Sequence, residues 1–273
     1  MIEKRILTVN GYQYELTGYQ ENPGQQVWFC LHGFMGSGSD FKALARYLPG
    51  TVWTLDLPGY GYHAPQVSRQ RLTMATQIAD LKAIFKEMNW QQLNLLGYSM
   101  GGRLALGLSL ALSDGVVQKL ILESSTAGIQ EVKGRERRQI LDRQRALKIR
   151  QDYESFVKNW ENLSLFASQK RLSSSQRSRI RQHRLNQNRE NMARSLEMMG
   201  TGFQDNFWPR LNEITIPVIL LTGELDSKFR AIGESMVKQL PNAHQVVVPN
   251  RGHNIYLEDP KSFCEVLKRY VSD

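Results

Sequence analysis

The chain has 273 residues, of which 35 are Lys or Arg and 26 are Asp or Glu, giving a formal net charge of +9. At 41% apolar and 22% charged it is too apolar for a disordered polymer, and its length suits one large domain or one domain with an insertion. Cys30 and Cys264 form no CxxC pair, which excludes a cysteine zinc site and leaves two buried, reduced thiols as the expectation. The longest apolar stretch, residues 104–112, falls far short of the ~20 residues a spanning helix needs, and the start MIEKRILTVNGY has no long apolar run. A soluble, cytoplasmic protein without membrane insertion is expected.

In chain order, residues 5–9 and 13–16 read as strands joined by Asn10-Gly11, a hairpin signal that would make an antiparallel edge. Residues 26–31 (QVWFCL) are a buried-strand run ending in His32-Gly33, and 39–48 look helical. A short strand at 52–55 leads into Asp56-Leu57-Pro58-Gly59. Residues 72–88 carry apolar side chains at helical spacing, 93–96 read as a strand, 101–112 as a helix apolar on almost every face, and 117–122 as a strand. Further on, 218–221 read as a strand, 231–240 as a helix, 245–248 as a strand and 260–270 as a helix with Pro260 in its first turn. This alternation predicts a mostly parallel sheet with helices on both faces.

The stretch in between reads differently. It has no strand runs; 135–150 and 188–199 look helical and amphipathic, 153–166 helical as well, and Ser173-Ser174-Ser175 reads as a loop. It holds 18 basic and 10 acidic residues, so +8 of the net charge sits here and +1 in the rest. The expected organisation is a core of residues 1–127 and 214–273 with a basic helical lid at 128–213. Such an excess can serve nucleic acid, a membrane surface or a small anion, or simply be solvated helix faces. Few aromatic residues in the lid and no RNA-binding motif argue against nucleic acid.

The strongest chemical signal is Gly97-Tyr98-Ser99-Met100-Gly101, a GxSxG pattern with a strand leading in and a helix leading out. Small residues let the backbone turn sharply and expose the Ser99 hydroxyl at the end of the sheet. A serine hydroxyl needs a base. Of His32, His63, His183, His244 and His253, only His253 follows the last strand, in Arg251-Gly252-His253-Asn254. Asp226, in Gly223-Glu224-Leu225-Asp226, is the better-placed orienting acid, with Glu224 as fallback. The loop His32-Gly33-Phe34-Met35-Gly36 would lend the Phe34 amide to an anion hole whose second donor is the Met100 amide, with His32 bracing the loop. The constellation is that of a Ser-His-Asp enzyme of the α/β-hydrolase fold, and it leaves the substrate open.

More residues match one family than this fold requires. With LHGFMGSGSDF (31–41), DLPGYG (56–61), GYSMGGRLAL (97–106), the ES…GIQ stretch (123–130), RERRQILDRQ (135–144), GTGFQDNFWPRL (200–211), GELDSKF (223–229) and RGHNIYLEDP (251–260), the chain resembles the 2-succinyl-6-hydroxy-2,4-cyclohexadiene-1-carboxylate synthases over essentially its whole length. The resemblance implies a lyase of menaquinone and phylloquinone biosynthesis that eliminates pyruvate from a small tricarboxylate, with Ser99 as general base and with neither metal nor organic cofactor. It implies a carboxylate ligand in Arg103, others in Arg184 and in either Arg135 or Arg138, and further pocket positions at Tyr98, Gln130, Trp160, Phe166 and Lys228. Tyr60 stands where the family usually has histidine. A monomer or weak homo-oligomer is expected. Two other readings stay open on the residues alone: a serine hydrolase of a small anionic ester, thioester or carbon–carbon substrate, and a basic binding protein without catalysis.

Overall fold

The computed structural model describes residues 1–113 and 115–271. The chain opens with a hairpin, β1 (Ile2–Val9) and β2 (Tyr12–Asn22), turned by Asn10 and Gly11 at φ 48° and 72°. Then follow β3 (Val27–Leu31), β4 (Gly50–Leu55), α1 (Met74–Glu87), β5 (Leu93–Tyr98), α2 (Met100–Ser109) and β6 (Val117–Glu123). Four helices come next: α3 (Val132–Gln151), α4 (Tyr153–Glu161), α5 (Ser174–Leu185) and α6 (Arg189–Met199). The chain ends with β7 (Val218–Gly223), α7 (Ser227–Val237), β8 (Ala243–Val248), α8 (Ile255–Glu258) and α9 (Pro260–Val271). The eight strands form one sheet in the order β1-β2-β4-β3-β5-β6-β7-β8. β2 is antiparallel to β1 and β4, and the pairs from β4 through β8 are parallel.

Side chains alternate across the sheet with period two. In β3, Phe29 and Leu31 join the core under α1 and α2, while Trp28 and Cys30 join a second core with Phe41, Phe263 and Leu267 on the other face. β5 lies at the centre and is buried at all six positions, which is why it shows no apolar-polar alternation; Asn94 is its one polar side chain. Cys30 and Cys264 are buried, unpaired thiols in the second core, and burial pushes the Cys264 thiol up to about 12.

Four expectations shift. Residues Gly38–Arg46 form a 3₁₀ helix, not a longer regular one. The helix after β7 starts at Ser227 instead of 231, because the Asp226 side chain caps it by accepting from the Phe229 amide. The stretch 153–166 divides into α4 and a second 3₁₀ turn, Ser164–Arg171. Of Ser173-Ser174-Ser175 only Ser173 stays outside a helix, as the N-cap whose hydroxyl forms a capping box with Gln176; Ser174 and Ser175 open α5.

The helices α3 to α6 leave the sheet between β6 and β7. Their apolar inner side, with Ala146, Ile149, Met192 and Leu196, continues the core over α1 and α2. Polar side chains stitch them to the loop after β4. Asn191 Nδ2 donates to the carbonyls of Gly59 at 3.0 Å and Pro65 at 2.8 Å, and Tyr60 Oη meets Ser195 Oγ at 2.5 Å. Among the described residues no helix is long and apolar enough to cross a membrane.

Candidate active site

Ser99 sits between β5 and α2 at φ 49° and ψ −103°, a left-handed conformation that costs a non-glycine residue energy. The surroundings hold it there. Its amide donates to Glu123 O at 2.8 Å, and Ser125 Oγ donates to its carbonyl at 3.0 Å. The flanking glycines are required by contact: a Cβ on Gly101 would stand 2.1 Å from Leu31 O, and one on Gly97 2.5 Å from Gly101 O. α2 can therefore pack directly on β3.

His253 follows β8 and Asp226 follows β7, so parallel strands deliver both to the carboxyl edge that carries Ser99. His253 Nε2 lies 3.1 Å from Ser99 Oγ, and His253 Nδ1 lies 2.6 Å from Asp226 Oδ2. In the tautomer with the proton on Nδ1, the imidazole donates to Asp226 and accepts from the Ser99 hydroxyl. His253 and Asp226 are buried, and the rings of Phe229, Tyr98 and Phe166 stand 4.6, 5.4 and 5.8 Å from the imidazole. Glu224 is exposed and accepts from the Asn250 amide, away from His253.

A feature the sequence did not signal secures the histidine. The buried Glu123, at the end of β6, accepts from the Ile255 and Tyr256 amides at 2.5 and 3.3 Å, pinning the start of α8 two residues after His253. Burial raises the Glu123 carboxyl well above its ordinary value. His32 is also fully buried: its Nε2 accepts from the Leu57 amide at 3.0 Å, and burial lowers its pKa. A neutral His32 thus ties the loop after β3 to the loop after β4. Tyr60 packs on His32, with ring centroids 4.9 Å apart, and places its hydroxyl near Met100 Sδ. Among the described residues, the amides of Phe34 and Met100 donate no backbone hydrogen bond.

Four cations from three elements approach this edge. Arg103, one turn after Ser99 on α2, is 7% exposed, and its side-chain partner is neutral: Nη1 donates to Gln204 Oε1 at 2.9 Å. Burial, then the like charge of Arg138, pushes its pKa down to about 10. Arg138 Nε donates to both oxygens of Asp142 at 2.9 and 3.0 Å. Arg145 also pairs with Asp142 and lies over the Trp160 ring. Lys228, on α7, has its pKa lowered by partial burial of the ammonium and then by Arg138.

The other expected pocket positions divide. Trp160 packs on Phe34 at 5.3 Å and on Phe166 at 5.9 Å between ring centroids, so it belongs to the wall of the site as well as to the helices' own packing. Tyr98 is buried against His253 and Tyr256. Arg184 is engaged internally, donating to Glu161 Oε1 and Gln169 Oε1 at 3.3 Å each while lying over Phe166. It lines a cleft of about 530 Å³ between α4 and α5, whose lining does not include Ser99. Arg135 is half-buried in the first turn of α3, and Gln130 is exposed just before it.

Residues 29–260 match the alpha/beta hydrolase fold family. A Bacillus subtilis (strain 168) protein assigned as a 2-succinyl-6-hydroxy-2,4-cyclohexadiene-1-carboxylate synthase is 36% identical over 98% of this chain and 97% of its own length. The chain belongs to the 2-succinyl-6-hydroxy-2,4-cyclohexadiene-1-carboxylate synthase family. The Salmonella paratyphi C synthase is 30% identical over 91% of this chain and 95% of its own. The structure of MenH from S. aureus superposes with a TM-score of 0.87 at 34% identity, covering 94% of this chain and 97% of that one. Both the resemblance to these synthases and the α/β-hydrolase fold expected from the sequence are borne out.

Proposed function

We propose that this chain is the pyruvate-eliminating lyase of its family. It acts on 2-succinyl-5-enolpyruvyl-6-hydroxy-3-cyclohexene-1-carboxylate in menaquinone or phylloquinone biosynthesis. The observation that carries the reading is Arg103: a buried guanidinium one turn from the serine whose side-chain hydrogen-bond partner, among the described residues, is the neutral amide of Gln204. A charge so placed calls for an anion, and this substrate brings three carboxylates.

The chemistry follows from the bonds that change. The substrate has a double bond at C3=C4, and the product has two, at C2=C3 and C4=C5. A proton must leave C2, which the neighbouring succinyl ketone acidifies, and the C5–O bond must break. His253 takes the Ser99 proton, and Ser99 Oγ takes the C2 proton, which restores the hydroxyl. Asp226 holds the imidazole in orientation and stabilises its charged form. The electron pair from C2–H forms C2=C3, the C3=C4 pair moves to C4=C5, and pyruvate leaves as its enolate, collecting the proton from His253. The transient charge on the succinyl oxygen faces the Phe34 and Met100 amides, a pair of donors of the kind worth about 3 kcal/mol each. Residues 128–213 act as a lid whose arginines hold the outer carboxylates.

The test is pyruvate release from this substrate, followed with a coupled reductase. Wild-type protein should turn it over, and Ser99→Ala should lose on the order of 10³-fold or more in kcat. Wild-type protein that leaves the substrate untouched refutes the reading. Accumulation of an acylated Ser99 would favour a serine hydrolase instead.

A further inference from the structure

Asp142 is fully buried on α3, four residues after Arg138 and three before Arg145, so all three share one helix face. Both carboxylate oxygens accept from Arg138 Nε at 2.9 and 3.0 Å, and Arg145 Nη1 stands 3.5 Å from Oδ1. The carboxylate has little room to turn: a Cβ on Gly200 would lie 2.4 Å from Oδ2. With Nε occupied, both terminal amino groups of Arg138 have no hydrogen-bond partner among the described residues. The Arg145 guanidinium lies 5.5 Å from the centre of Trp160, whose ring packs on Phe34 and Phe166; Phe166 in turn touches His253.

The charge balance here differs from that of the neighbouring ion pairs. Arg150 meets two carboxylates, Glu190 at 2.8 Å and Glu197 at 2.7 Å, as a purely structural arginine can. At Asp142 one carboxylate serves two guanidinium groups, each with only 24% of its side chain exposed. Arg103 and Lys228 add further positive charge nearby. Half-buried cations that outnumber their carboxylates leave donors free, and an anion arriving there gains charge-assisted hydrogen bonds.

We propose that Arg145 is a further substrate-carboxylate ligand, and that Asp142 is the positioning residue that holds Arg138 and Arg145 as one two-pronged anion receptor. This rests on the lyase reading of the same site. It makes Arg138, and not Arg135, the carboxylate ligand of the first lid helix. The role of Asp142 is to spend its oxygens on Nε of Arg138, so that the terminal amino groups are free for the ligand. The role of Trp160 is to hold the flat face of Arg145 and leave its edge to donate.

Steady-state kinetics of Arg145→Gln, Arg145→Lys and Asp142→Asn test it, with Arg137→Gln as control. Arg137 is an exposed cation on the same helix and outside the receptor. Arg145→Gln should raise KM about 10- to 100-fold and leave kcat within about twofold, the signature of lost uniform binding. Arg145→Lys should fall between, because it keeps the charge and loses the fork. Asp142→Asn should move KM in the same direction, and Arg137→Gln should behave as wild type. A folded Arg145→Gln with wild-type KM overturns the proposal, as does an equal KM rise in Arg137→Gln. Should wild-type protein be inert, the lyase reading fails, and calorimetric titration with citrate then decides the receptor separately. Citrate weakened by Arg145→Gln and not by Arg137→Gln supports it, and equal affinities overturn it.

Discussion

The sheet and the helices inserted between β6 and β7 are held together by different means. Around the sheet, side chains such as Trp28, Phe29, Leu95 and Leu120 have no exposed surface, and glycines bring backbone against backbone at Ser99. In the insertion, α3 and α5 carry few buried apolar residues, and charge does much of the work. Among the described residues, seven of its 18 basic residues stand in ion pairs: Arg138, Arg145, Arg150, Arg181, Arg184, Arg194 and Arg210. The two regions also divide the chemistry. The sheet's strand ends bring Ser99, His253 and Asp226 within hydrogen-bonding reach, while the insertion carries the half-buried cations Arg138 and Arg145. Part of the +8 excess is therefore not idle solvated helix face. Part of it pairs with carboxylates inside the insertion, and Arg138 and Arg145 are the part proposed to meet the substrate.

The sharpest way to break the contrast is Gly101→Ala. The new Cβ would meet backbone atoms of Leu31 and His32 at 2.1 to 2.6 Å, and backbone cannot swing aside as a side chain can. A loss of more than about 3 kcal/mol is expected, read as insolubility or a collapse in denaturant midpoint. A soluble, active Gly101→Ala would show that α2 is not wedged on β3.

A smaller effect should come from the insertion. Arg150 bridges Glu190 and Glu197, and its hydrogen bonds hold both carboxyls below their ordinary 4.5. Arg150→Met should cost about 1 kcal/mol at neutral pH, because the pairs are partly exposed, and lower Tm by about 2–4 °C. A carboxyl whose folded pKa is depressed contributes stability that is present above its unfolded value and lost as pH falls through the folded one. The gap between wild type and Arg150→Met should therefore close as pH drops below 4.5. A gap independent of pH would mean that the arginine acts through packing of its stem.

How far the sequence could be read follows the same division. The strands were legible because buried parallel strands are apolar runs, and the GxSxG turn because steric contact permits only small residues there. His253 and Asp226 could be found because they lie in the loops after strands that parallel order must bring to one edge. α5 was missed, since SSQRSRIRQHRL has almost no apolar periodicity; its one legible signal was the capping pair Ser173 and Gln176. Gln204, Glu123 and Asp142 act on partners set by tertiary packing. Gln204 lies 101 residues from Arg103, and Glu123 lies 132 from Ile255, so no local pattern joins them. Arg138 and Asp142 are four apart and could have been paired on paper, but helix spacing does not reveal which face meets the site.

The central claim is that Ser99, primed by His253, removes a proton from carbon. Single-turnover pyruvate release from substrate carrying deuterium at C2 addresses it most directly. The account predicts release several-fold slower than from the protonated substrate, with the mass of the enzyme unchanged throughout. Equal rates, together with a transient mass increase on Ser99, would contradict it.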